Sequence, residues 1–101
     1  MNRKMTQLRF DISDLALLLN NNIFQDYAPI LHLGIQAPSG LKFYLNDNKF
    51  APLYVNNSGI FEINLENTFG LIGSISFDQV NLNKLLPQGY LIIDILYEGE
   101  G

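Results

Sequence analysis

Cysteine and tryptophan are absent from these 101 residues, histidine occurs once, and only 16% of positions are charged. Without cysteine there is no disulfide framework, no thiolate metal site and no cysteine nucleophile. A single imidazole, His32, excludes any site built on two. No apolar run approaches the ~18 residues of a helical membrane span, and no charged-then-apolar leader is expected. Six basic residues against ten acidic ones leave a net charge of −4. Nucleic-acid binding needs a basic stripe that displaces counterions from phosphates. Here Arg3, Lys4 and Arg9 stand near the start, and Lys42, Lys49 and Lys84 are scattered. Neither a nucleic acid nor a membrane is expected as a partner.

What is present is apolar and amide-rich. Hydrophobic residues make up 48% of the chain, too many for wholesale disorder. The length fits one domain, residues 1–101, with one core and little room for a deep cleft. Twelve asparagines fill part of the gap that the missing charges leave. Two readings stand side by side. An uncharged polar surface spares an interface the cost of desolvating ions, and an AT-rich genome raises asparagine with no selection for contacts.

Alternation of apolar and polar residues dominates. Leu8, Phe10 and Ile12 share one face; Leu31, Leu33 and Ile35 another; then Leu41, Phe43 and Leu45; Phe61, Ile63 and Leu65; Leu71, Gly73, Ile75 and Phe77; and Leu91, Ile93, Ile95 and Tyr97. Period two predicts half-buried strands. Ala51 to Val55 is a seventh, shorter candidate. The gaps carry turn chemistry: Pro38-Ser39-Gly40, Asn46-Asp47-Asn48 and Asn56-Asn57-Ser58-Gly59. Two stretches leave the alternation. Asp14 to Leu19 predicts one or two helical turns capped by Ser13, and Asp78 to Leu86 predicts a short helix capped by Asp78 and stopped by Pro87. The expected fold is mainly all-β: an antiparallel β-sandwich or jelly-roll-like domain of about seven strands with two short helices. Residues 1–6 read as an N-terminal arm and 98–101 as a frayed tail. The expected core holds Leu33, Ile35, Phe43, Phe61, Ile63, Ile75, Phe77, Leu91, Ile93 and Ile95.

No constellation of catalytic residues emerges. Glu62 with Glu66, and Asp94 with Glu98, are carboxylate pairs without a sequence signature, and they read as solvated or interfacial. His32 has no second imidazole or thiolate and reads as a surface or interface residue. Asn46-Asp47-Asn48 has the oxygen ligands calcium accepts, yet it is also ordinary hairpin chemistry. Tyr44, Tyr54 and Tyr90 are the candidates for a sugar-stacking platform. Gly34 and Gly73, inside strand patterns, suggest a bulge or a close backbone approach. No enzyme activity, metal or cofactor is expected.

Four segments carry a family resemblance. They are Leu33-Gly34-Ile35-Gln36-Ala37-Pro38-Ser39-Gly40 with Lys42-Phe43, then Ser58-Gly59-Ile60-Phe61-Glu62, then Ser74-Ile75-Ser76-Phe77, then Gly89-Tyr90-Leu91-Ile92-Ile93-Asp94-Ile95-Leu96-Tyr97-Glu98. They resemble a small β-rich domain of virion structural proteins from tailed phages and prophages of gut Firmicutes. Members of that family read Gly-Ile-Gln-Ala-Pro-Pro-Gly-Thr-Lys-Phe, then Arg-Thr-Gly-Ile-Tyr-Glu-Leu, and close on Ile-Asp-Tyr-Ile-Tyr-Glu. Ser39 stands where the family has its second proline. Asn57-Ser58 stands where Arg-Thr is common, so any role of that arginine is absent here. The resemblance implies a non-enzymatic structural subunit of a phage or phage-tail-like particle, in tail, baseplate or neck. Such a subunit packs against copies of itself and other virion proteins, and it is assembled in the bacterial cytoplasm. The rival expectation is a capsid decoration domain or a carbohydrate-binding module that touches the host surface. Contacts are expected from Arg3, Lys4, Phe24, Tyr27, Asp47, Lys49, Tyr90, Ile92 and Leu96. Ile92 and Leu96 enter because they lie opposite Leu91, Ile93 and Ile95 on the last strand, which is apolar on both faces.

Overall fold

Seven strands form, each overlapping a stretch that the sequence marks for one. In the computed structural model, which describes residues 2–66 and 72–99, they build two antiparallel sheets. The strands are β1 (Asn2–Phe10), β2 (Ile30–Gln36), β3 (Lys42–Leu45), β4 (Leu53–Tyr54), β5 (Ile60–Asn64), β6 (Ile75–Phe77) and β7 (Leu91–Gly99). The larger sheet has the order β1-β7-β2-β5 and the smaller one β4-β3-β6. The C-terminal strand is thus central, held by β1 on one side and β2 on the other.

The core lies between the sheets. From the larger sheet Phe10, Leu33, Ile35, Leu91, Ile93 and Ile95 point inward; from the smaller come Phe43, Ile75 and Phe77. Phe61 and Ile63 are half-buried and pack on the same cluster, because β5 is an edge strand with neighbours on one side only. Phe43 and Phe61 meet across the sandwich edge-to-face, with centroids 4.9 Å apart and planes at 83°. That geometry suits the ring quadrupoles.

Short helices close the ends. Helix α1 (Leu15–Leu18) follows a 3-10 turn, Ile12–Asp14. In place of the expected Ser13 cap there is a capping box on the 3-10 turn, where the Asp11 carboxylate accepts from Ser13 N and Asp14 accepts from Asp11 N; Asp14 holds the N-cap position of α1 without a side-chain bond. This reciprocal box beats a lone serine because it satisfies two orphan amides. The Ser13 hydroxyl also donates to Asp11, and that bond holds its carboxyl below the usual carboxylate range. Helix α2 (Gln79–Leu85) is capped by Asp78 as predicted, and a 3-10 turn containing Pro87 ends it. Asn81 fastens α2 to β3: its amide oxygen accepts from Lys42 N at 2.8 Å and its nitrogen donates to the Gly40 carbonyl at 3.0 Å.

Four further expectations need correcting. Residues 2–6 are not an arm: Asn2 through Phe10 pair residue by residue with Gly99 through Leu91. Arg3 and Lys4 interrupt the apolar alternation there, but backbone pairing with nine-residue β7 needs none. Of the predicted tail, Glu98 and Gly99 belong to β7. Met1, Leu71, Glu100 and Gly101 lie outside the described residues. The stretch from Asn21 to Tyr27 is a 3-10 turn touching both β6 and β7, and it drives Phe24 fully into the core. Phe24 therefore cannot meet a neighbour. The irregularity in β2 falls between Ile30 and His32, not at Gly34, which pairs regularly with Glu62 and Asp94.

Candidate functional site

The outer face of the larger sheet is the candidate surface. Antiparallel register arranges it in rows across β1, β7, β2 and β5. One row is Arg9, Ile92, Gln36 and Ile60; the next is Gln7, Asp94, Gly34 and Glu62; the third is Met5, Leu96, His32 and Asn64. Among the described residues, no helix or strand is layered over this face. Met5 is 75% exposed and Ile60 47%, while Ile92 and Leu96 are half-buried between their neighbours. Tyr90, 49% exposed, lies 4.3 Å beneath the Arg9 guanidinium at the end of β7.

Polar contacts bind the rows together. Gln7 donates to the Asp94 carboxylate at 2.8 Å. Gly34 leaves room for the stems of Asp94 and Glu62, which a side chain there would touch at 3.6–3.9 Å. His32 Nε2 stands 3.9 Å from Glu62 Oε1. Arg3 pairs with Glu66, tying β1 to the segment that follows β5. The surface is thus mixed: Ile92 and Leu96 flank Asp94 on the central strand, Met5 and Ile60 stand on the two edge strands, and Arg9 and Glu62 lie on opposite edges. Its chemistry is packing and hydrogen bonding.

The expected interface residues divide among several places. Arg3, Ile92 and Leu96 lie on this face, with Tyr90 at its end. Lys4 is exposed but points to the other face, where its stem crosses Gly99. Tyr27 is half-buried and packs edge-on against Tyr97 at 5.2 Å. Asp47 and Lys49 sit on the turn between β3 and β4, at the smaller sheet. The sequence reading missed Met5, Arg9 and Ile60. Period two extended through β1 and β5 would have put them in the same set as Ile92 and Leu96.

The side-chain oxygens of the Asn46-Asp47-Asn48 turn accept hydrogen bonds from the turn and from the segment around β6. Asn46 and Asp47 take the left-handed conformation with φ of 52° and 55°. Asn46 accepts from Gly73 N at 2.9 Å, Asn48 from Phe50 N at 3.2 Å, and Asp47 from the Ser76 hydroxyl at 3.3 Å. Lys49 Nζ is 3.7 Å from Asp47. Among the described residues, no three or more His, Cys, Asp or Glu side chains are grouped so as to hold a metal ion. The three tyrosines do not form one platform. Tyr44 is buried beneath Lys42 and Lys49; Tyr54 is exposed beside Lys42; Tyr90 belongs to the other sheet. The Tyr44 hydroxyl, accepting from its ammonium, holds Lys42 above the usual lysine value, with the Tyr44 and Tyr54 phenols and Asp78 adding to the effect.

No family model, curated protein or solved structure matches this chain. The functional reading therefore rests on the sequence and the geometry of the molecule.

Proposed function

We propose that this chain is a non-enzymatic structural subunit of a phage or phage-tail-like particle. Its place is the tail, baseplate or neck, and it acts by packing against neighbouring copies and other particle proteins. The observation that carries this reading is the open outer face of the β1-β7-β2-β5 sheet, with Met5, Ile60 and Tyr90 exposed and no covering layer among the described residues. Apolar side chains on an uncovered face, interspersed with polar ones, fit a surface that meets a partner. The low charge and many amides fit the same use. The family resemblance supplies the particle. Sedimentation of the full chain at high concentration should show concentration-dependent association, and mass spectrometry of purified particles should find the chain among their proteins. A strict monomer missing from purified particles overturns the reading.

One feature favours a second reading, a capsid decoration or carbohydrate-binding module. Tyr54 is half exposed on the outer face of the smaller sheet, with Lys42 Nζ 5.9 Å from its ring centroid. An aromatic ring beside a donor is a stacking site for a sugar. Binding of a defined sugar on a glycan array, lost in Tyr54→Ala, would select this reading over the first.

A further inference from the structure

We propose that copies of this chain join head to tail through the two edges of the larger sheet, with β5 of one copy pairing to β1 of the next. The inference deepens the assembly reading above and rests on it.

Direction comes first. β1 runs antiparallel to β7, β7 to β2, and β2 to β5, so β1 and β5 run opposite ways. A copy placed beside the β5 edge then offers its β1 in antiparallel sense, and the sheet continues without a break.

Phase comes second. Leu65 N donates to the Leu31 carbonyl and Ala37 N to the Gly59 carbonyl, so the odd residues of β5 bond to β2. Carried across the ladders, the same phase turns the even residues of β1 toward β7. The backbone groups of Met5, Gln7 and Arg9 therefore point off one edge, and those of Glu62 and Asn64 off the other. Edge groups of this kind are templates for another strand. The smaller sheet offers less: its edge strands β4 and β6 are two and three residues long.

Charge selects the partner edge. Pairing β1 with β1 of a second copy over its full length would set Arg3 against Arg9 at both ends. Pairing β5 with β5 about its centre would set Glu62 against Glu62. Like charges directly opposite destabilise a ladder. The β5-to-β1 pairing removes both clashes. Rows then run on across the junction: Glu62 faces Gln7 and lies diagonal to Arg9 of the next copy, and Asn64 faces Met5, while Arg3 keeps the Glu66 of its own chain. A joined pair keeps one unused edge of each kind, so the contact is heterologous and propagates into a ring or a filament.

The absence of native cysteine gives a direct test. Met5→Cys/Asn64→Cys in the full chain places two thiols about 5.5 Å apart between Cα atoms across the junction, within disulfide reach. Under mild oxidation the double variant should give a ladder of dimers, trimers and higher species on non-reducing gels. Each single variant should stay uncrosslinked, and an equimolar mixture of the two singles should stop at dimers. Both positions are exposed, and a melting curve matching the wild type shows that the fold is kept. Glu62→Arg in the double-cysteine background should weaken ladder formation roughly tenfold, and adding Arg9→Glu should restore it. Dimers from Met5→Cys alone, or no crosslink from the folded double variant at high concentration, overturn head-to-tail pairing. A chain present in purified particles that fails this test keeps the particle reading and loses the edge pairing.

Discussion

Phe43→Ala probes the sandwich at its middle. Phe43 is fully buried on β3 and touches Phe61 of the opposite sheet edge-to-face. Removing a fully buried phenylalanine costs about 3–5 kcal/mol, through lost transfer energy and the cavity left behind. Phe61 is half-buried, so Phe61→Ala should cost roughly half as much, about 1.5–2.5 kcal/mol. The ring contact itself should appear as a coupling of about 0.5–1.5 kcal/mol in the double-mutant cycle. A domain of this size holds only about 5–15 kcal/mol in all. Phe43→Ala should therefore lower Tm by about 12–40 °C at ~4–8 °C per kcal/mol. Urea unfolding followed by far-UV circular dichroism gives all four corners of the cycle. A loss under about 1 kcal/mol for Phe43→Ala, or a larger loss for Phe61→Ala than for Phe43→Ala, would mean that the inward register assigned to these strands is wrong.

Three further outcomes follow from single contacts. Phe24→Ala should cost about 3–5 kcal/mol in a dilute monomer, because the ring fills the core; a variant that melts normally but loses association would restore Phe24 to the interface. Asn81→Leu should cost about 1–3 kcal/mol by leaving Lys42 N and the Gly40 carbonyl without partners, and amide exchange at Lys42 should rise with it. Asp11→Ala should lower Tm at neutral pH. Because the folded-state pKa of Asp11 lies below the unfolded value of 3.8, its stabilisation is present above that pH and lost as pH falls through the folded value. The Tm difference between wild type and variant should thus close in strong acid, and a difference that persists there would show that the cap acts without its charge.

Much of this fold can be read from the chain alone, since side-chain period in a strand is a local property. Leu33 and Ile35 announce their burial by alternating with His32, Gly34 and Gln36, and Leu91, Ile93 and Ile95 by their phase about Asp94; all are buried. Asp78 and Pro87 mark the ends of their helical segment for equally local reasons, a side chain that caps an amide and a ring that cannot continue. The absence of cysteine and the single histidine narrow the chemistry before any fold is known.

Tertiary structure decided what depends on partners far along the chain. Residues 2–6 carry no strand pattern of their own, yet β7 lies beside them, ninety residues away in sequence, and backbone pairing asks nothing of their side chains. Phe24 sits among asparagines in a stretch that reads as a loop, and only the gap at the end of the two sheets makes it a core residue. Which strand is central and which are edges follows from the order β1-β7-β2-β5, set by long-range pairing that no window of sequence contains. That order turns the alternating residues of four separate segments into one exposed face. It also puts arginines on one edge and glutamates on the other, because register is fixed only when the strands meet.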